Sequence, residues 1–252
     1  MIFFVGLHQP HNAINFDRCM ISIKRLARRK GNFVVNQWML DSGAFTELRD
    51  HGRYRDSPEV YASQIIRWAE CGELVSASAQ DYLCEPFILA KTGLTIAQHQ
   101  QLTIDRYDAL RALVPEHIHI MPVLQGYMPS QYIDHLAQYG QRIYPGMWVG
   151  VGSVCKRQRK PSEIAAVLRP IKAARPDIQL HGFGAKTIAL DNPEVRSLLH
   201  SADSMAWSSA AYWEGRDAND WREAEGFRQR IETAPPVKTL PMDQYWSNEY
   251  VS

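Results

Sequence analysis

The feature that most constrains this chain is a repeated alternation. Short runs that are apolar nearly throughout are each followed by a stretch with helical periodicity. A strand with one wet face alternates apolar and polar residues. A run that is apolar at almost every position must instead be buried on both faces, as in a parallel sheet covered by crossover helices. The pattern predicts strands at Ile2–Leu7, Trp38–Ala44, Leu74–Asp81, Ile118–Gln125, Met147–Gly152, Ile178–Gly184 and Ala202–Trp207. It predicts helices at Phe16–Arg29, Pro58–Glu70, Ile96–Leu113, Pro129–Tyr139, Pro161–Ala174, Pro193–His200 and Asp217–Ile231. Ser57-Pro58, Thr95 and Ser162 offer the cap and first-turn chemistry that starts a helix.

Seven strand–helix units, with an eighth strand drawn from Phe33–Asn36, predict a single-domain α/β fold, a (β/α)8 TIM barrel. A chain of 252 residues suits one such barrel, which typically takes about 250. A doubly wound open sheet is the alternative. Polar residues close nearly every predicted strand, and that is where barrels build active sites. The barrel is expected to span residues 1–232. A tail over 233–252, with Pro235, Pro236 and Pro241, is expected to be irregular and packed on the barrel.

Those strand ends carry the chemistry. They read Asp41-Ser42-Gly43-Ala44-Phe45, Gln80-Asp81-Tyr82, Leu124-Gln125-Gly126, Gly150-Val151-Gly152-Ser153, Gly182-Phe183-Gly184 and Ala202-Asp203-Ser204. Each piece has an ordinary structural use, as a cap or a turn. Together they bring three carboxylates, an amide and glycine loops to one face of one barrel.

The order of these motifs, over residues 38–212, resembles the tRNA-guanine transglycosylase superfamily of (β/α)8 barrels. The compact size and the DSMAW run at 203–207 look most like the DpdA-type 7-deazaguanine DNA transglycosylases. The resemblance implies base exchange: guanine in DNA is replaced by a 7-deazaguanine derivative through a covalent glycosyl-enzyme intermediate. It implies Asp203 as nucleophile, Asp41 as general acid and base, and Asp81 as the reader of guanine's N1–H and 2-amino donors. Gln125 and the Gly150 N–H are expected to serve the O6/N7 side. Ser42, beside Asp41, could orient it, and Gly126 and Gly184 complete the base-binding set. Retention of configuration needs two displacements, hence a covalent nucleophile. The acid/base role needs a carboxyl with its pKa raised toward neutrality.

The chain departs from the tRNA enzymes in two ways. No cysteine follows Cys155, so no zinc subdomain is expected, and Trp207-Ser208-Ser209 stands where those enzymes have a basic run after the nucleophile. Both departures argue against tRNA as substrate. The alternatives are the same exchange on tRNA, or a catalytically inactive nucleic-acid-binding barrel. A metal-dependent hydrolase lacks a ligand set at the strand ends. Cys19, Cys71, Cys84 and Cys155 are too scattered for a zinc clip, and His117 and His119 begin their strand, on the stability face. His8 and His181 end strands and are the better-placed histidines. No metal and no cofactor are expected beyond the 7-deazaguanine co-substrate.

Lys plus Arg number 28 against 27 Asp plus Glu, a net charge of +1, so nucleic-acid binding must use local patches. Lys156, Arg157, Arg159 and Lys160 follow the fifth predicted strand, and Arg49, Arg53 and Arg55 follow the second. Both clusters are candidates for phosphate contacts. Lys24, Arg25, Arg28, Arg29 and Lys30 are expected on the outer face of a first helix. A purine in a duplex must be extruded before it can react, and Phe45, Tyr82, Tyr127 and Trp207 are the candidate stacking aromatics. The implied partners are DNA, a 7-deazaguanine base such as 7-cyano-7-deazaguanine, and a helper protein that opens the duplex. No apolar run approaches the ~18 residues of a membrane span. The opening MIFFVGLHQP lacks signal-peptide regions, so a cytoplasmic location is expected.

Overall fold

The structure, a computed structural model, describes residues 1–154 and 160–233. It contains nine parallel strands: β1 (Ile2–Leu7), β2 (Arg18–Ser22), β3 (Gln37–Asp41), β4 (Glu73–Ser78), β5 (Ile120–Met121), β6 (Val123–Leu124), β7 (Trp148–Val151), β8 (Gln179–Gly182) and β9 (Ser201–Ser204). Their order is β5-β4-β3-β2-β1-β9-β8-β7-β6. The two ends of that series, β5 and β6, are neighbours in the chain, parted only by Pro122, which has no N–H to give to a ladder. Counted as one stave they make eight, and the sheet closes as the predicted TIM barrel, with helices between the strands.

Two layers of core follow from strand alternation. Phe4, Met20, Met39 and Met121 point into the barrel, with Phe183 and Trp148 packed against them. Phe3, Val5, Cys19, Ile21, Trp38 and Leu40 point outward into the larger cluster shared with the helices. The last helix, Trp221–Thr233, packs on β1 through Phe227, whose ring lies 5.9 Å from that of Phe3. The predicted starts at Ser57 and Thr95 are present: Ser57 caps Pro58–Trp68, and Thr95 forms a capping box with Gln98 for Ile96–Leu113.

The second stave differs from the sequence reading. Residues expected in the helix Phe16–Arg29 form β2, paired with β1 and β3, followed by a four-residue helix, Ile23–Leu26. Cys19, Met20 and Ile21 are all buried, and consecutive burial on both faces suits a central strand. Phe33–Asn36, offered as the eighth strand, is irregular. Its Phe33 and Val35 are buried, with Phe33 against Trp38 and Trp68.

Several strands also stop sooner than predicted. β3 ends at Asp41 because Gly43, in the left-handed region at φ 74°, turns the chain into the helix Ala44–His51. β9 ends at Ser204, and Trp207 lies in the helix Ala206–Trp213. Ser162 is not a cap: Lys160 holds that position, with Pro161 next. Residues 234–252, nearly all of the predicted tail, lie outside the described residues, as do Cys155, Lys156, Arg157 and Arg159.

Candidate active site

A cavity of about 360 Å³ opens at the C-terminal ends of the strands, the face on which barrel enzymes do their chemistry. Asp41, Phe45, Asp81, Gln125, Gly184 and Asp203 line it, from five different segments of the chain. So do Gly6, Ser22, Met205 and Phe183.

Asp41, the last residue of β3, accepts a 3.1 Å hydrogen bond from the Gly43 N–H at Oδ2 and a second bond from the Ser22 side chain. Burial pushes its carboxyl up to about 6. The Ser22 bond pulls it down, the charge of Asp203 pushes it up, and the Gly43 N–H and Lys24 pull it down. Asp81, three residues beyond β4, is raised further. Burial takes its carboxyl to about 7 despite the Gln125 amide, and the charges of Asp41 and Glu85 add to the rise.

Asp203, in β9, is held differently. Its Oδ1 accepts from the Gly184 N–H at 2.9 Å and is 3.3 Å from His181 Nε2. Oδ2 makes no hydrogen bond among the described residues.

Gln125 makes a hydrogen bond at each of its four polar atoms. Its backbone N–H donates to His135 Nδ1 at 2.8 Å, and its carbonyl accepts from Gln100 Nε2 at 2.8 Å. Its side-chain Nε2 donates to Asp81 Oδ2, and its Oε1 accepts from Ser153 Oγ at 3.2 Å. Ser153 has φ 62°, the only non-glycine at positive φ among the described residues, which stores strain at the cavity wall. A Cβ at Gly152 would collide with the Gln125 amide, so that glycine lets the amide lie against the backbone.

The structure places several sequence-predicted residues elsewhere. The Gly150 N–H is spent on the Pro122 carbonyl at 2.9 Å within the sheet and cannot serve a base, while Phe183 occupies the space where a Cβ at Gly150 would go. Gln125 orients Asp81 with one of the two N–H groups on its Nε2. Ser42 Oγ faces the Tyr54 hydroxyl at 3.3 Å, and it is Ser22 that bonds Asp41. Gly126 packs against Gln131 and Tyr132. Tyr82 is buried among Tyr54, Leu83 and Ile88, with its ring edge-on to Tyr54 and His99. Trp207 is buried and donates to the Gly6 carbonyl at 2.8 Å. Tyr127 is exposed, away from the cavity lining. Of the aromatic candidates, Phe45 alone faces the cavity, and Phe183, which the sequence reading passed over inside its Gly-Phe-Gly motif, joins it.

The rim charges also redistribute. Arg49 pairs with Asp50, Arg55 with the buried Glu47, and Lys160 with Glu163, while Arg53 is exposed. Because Arg18–Ser22 is a strand, Lys24 and Arg25 stand at the mouth of the barrel and not on its outside. Lys24 lies over Gly43 and reaches Glu47 at 2.8 Å. Burial pushes the Glu47 carboxyl up, but the bonds from Arg55 and Lys24 outweigh it and hold the group at about 2. Arg25 is exposed and approaches His8 Nδ1 at 2.8 Å, while His8 Nε2 lies 2.7 Å from Ser208 Oγ. The Ser208 hydroxyl donates to the Ala218 carbonyl, so His8 gives its one proton to Ser208 and accepts from Arg25. Burial, then the Arg25 charge, lowers the His8 pKa and keeps it neutral.

His119 Nε2 contacts the Trp148 carbonyl at 2.9 Å, at the opposite end of the barrel from the cavity. Cys19, Cys71 and Cys84 are buried free thiols. No described helix is long and apolar enough to cross a membrane.

Comparison with protein families matches residues 2–217 to DpdA, described as DeoxyPurine in DNA protein A. Comparison with individually curated proteins gives no match.

Proposed function

This chain belongs to the DpdA family, DeoxyPurine in DNA protein A, and from that premise we propose that it replaces guanine in DNA with a 7-deazaguanine base through a covalent glycosyl-enzyme intermediate. The family carries the coarser reading, DNA deazapurine modification by a transglycosylase-type enzyme acting on DNA. The observation that carries the finer one is the shared cavity. Three carboxylates face it, two raised to about 6 and about 7, and the third tethered, among the described residues, through one oxygen.

In this reading Asp203 Oδ2 attacks C1′ as the bond to guanine N9 breaks. The departing base takes the electron pair and gains a proton from Asp41. The incoming base then loses its N–H proton to the same Asp41 and attacks C1′, and the ester electron pair returns to Asp203. A carboxyl at about 6 can do both, because it is neither too acidic to hold the proton nor too basic to release it. Asp81, oriented by Gln125, offers the acceptors for guanine's paired donors, which adenine could not satisfy. Phe45 and Phe183 give the extruded base apolar surface. Arg25, held by neutral His8, contacts a phosphate at the rim. The exchange uses these side chains and a 7-deazaguanine co-substrate, without a metal, in the cytoplasm where DNA is within reach.

The test is exchange itself. The enzyme is incubated with radiolabelled guanine and either DNA or tRNA, and acid-precipitable label is counted. Label in DNA and not in tRNA is expected. Label confined to tRNA would move the reading to the tRNA substrate, and label in neither, with DNA still bound, would make the chain an inactive binding barrel.

A further inference from the structure

One buried histidine lies behind the cavity wall, against Asp203 and Phe183. His181, in β8, is fully buried and sits edge-on to the rings of Phe4, Trp148 and Phe183. Its two nitrogens face different partners: Nδ1 is 2.9 Å from Ser201 Oγ, and Nε2 is 3.3 Å from Asp203 Oδ1. Ser201 Oγ also accepts a 2.7 Å bond from Trp148 Nε1, a group that can only donate. The hydroxyl hydrogen of Ser201 is then free to point at His181 Nδ1. That leaves the imidazole proton on Nε2, directed at Asp203, and the opposite tautomer would set a lone pair against the carboxylate. Trp148, Ser201 and His181 thus form a relay of fixed direction ending on Asp203 Oδ1, where the Gly184 N–H also donates.

We infer that His181 is a positioning residue that speeds resolution of the glycosyl-Asp203 intermediate, by donating to the carboxylate oxygen that does not attack. The inference rests on the reading of Asp203 as nucleophile. In the first displacement, Oδ2 bonds to C1′ and the carboxylate loses its charge, so donors on Oδ1 keep the group in place without lowering that barrier. In the second, the C1′–Oδ2 bond breaks, its electron pair returns to the carboxylate, and the charge spreads onto Oδ1. Two donors are already aimed there, and they need no reorganisation as the charge develops. The arrangement therefore favours release over capture.

The experiment uses the full chain, an end-labelled guanine-containing oligonucleotide, and free guanine as the incoming base. Covalent adduct is resolved on denaturing gels before and after a guanine chase, so formation and resolution are read separately. For His181→Leu, adduct formation should stay within about threefold of wild type. Resolution should slow by about ten- to a hundredfold, the usual weight of a hydrogen bond to a charged group, so that adduct accumulates. His181→Gln, which returns an N–H donor, should recover most of the resolution rate. Ser201→Ala, which removes the group that fixes the tautomer, should shift the two rates in the same sense by a smaller factor, and it serves if His181→Leu does not fold.

A purely structural role would lower both steps together and would not be rescued by Gln. That pattern, or unchanged resolution in a folded His181→Leu or Ser201→Ala protein, overturns the inference. Asp203→Ala, run alongside, separates the two levels. Adduct persisting in that variant would remove the nucleophile reading itself, whereas its loss together with normal resolution in His181→Leu would remove only the role of His181.

Discussion

On the β3–β4 side of the cavity, Asp41 is half-buried and feels the charge of Asp203, Asp81 is buried and feels that of Asp41, and their carboxyls rise to about 6 and about 7. On the β8–β9 side, Asp203 faces the same space but has one oxygen committed to two N–H groups. The same residue type is prepared for two kinds of work. Burial with a like charge nearby suits Asp41 to hold and release a proton. Donors fixed on one oxygen favour a group that keeps its position and takes charge back. The difference comes from the backbone. Gly184 turns its N–H onto Asp203, whereas Asp81 receives a side-chain amide that itself hangs from a network of buried hydrogen bonds.

The most severe way to break this comparison is Asp203→Ala. With no carboxylate to bond C1′, trapped adduct and labelled-guanine exchange should both fall to background. Wild-type adduct in this variant would assign the nucleophile to the other wall.

Asp41→Asn comes next. Adduct formation should slow by about 10²–10⁴-fold, the range of a lost general acid. The same variant sharpens the contrast through stability. A carboxyl raised from an ordinary 3.8 to about 6 binds its proton more tightly in the folded state, so the folded protein loses stability as pH rises from about 4 through about 6. Asn carries no charge. Asp41→Asn should therefore be more stable than wild type at pH 8, by about 1–2 kcal/mol after allowance for its partial exposure to the cavity, and the gain should vanish toward pH 4. Urea denaturation at several pH values measures it, and a variant less stable than wild type at pH 8 would falsify the raised pKa.

Asp81→Asn should act on selectivity. One of its two acceptors becomes a donor, so guanine's paired donors cannot both be met. The preference for guanine over adenine should fall by about ten- to a hundredfold with the nucleophile still competent, as read by competition between the free bases. Equal loss with both bases would make Asp81 a partner in the chemistry. The smallest effect belongs to the rim. Arg25→Ala should weaken DNA binding by a few-fold and lower the slope of log affinity against log salt by about one, with the rate from bound substrate unchanged. An unchanged salt slope would take the phosphate contact away from Arg25.

Much of the site was legible because strand-end motifs say where a barrel opens. Once Asp41, Asp81, Gln125 and Asp203 are each read as closing a buried parallel strand, barrel geometry alone brings them to one face. The family match, over residues 2–217, spans all four. The eighth stave was not legible in Arg18–Ser22, because a five-residue run beside a basic stretch has no period long enough to tell strand from helix. That single difference carried Lys24 and Arg25 from the outer surface to the mouth, and brought Ser22 onto Asp41.

What the sequence by itself determined is therefore the architecture and the identity of the groups at the mouth, because apolar period and chain order are local properties. What only the tertiary structure decided is how those groups are spent. The Gly150 N–H goes to the sheet, Tyr82 and Trp207 go to the core, the Gln125 amide goes to Asp81, and His181 goes to Asp203. Each hydrogen-bonding group has few places to bond, and its partner comes from a strand or loop distant in the chain. The allocation is fixed only when the barrel closes and buried polar atoms must find partners at short range.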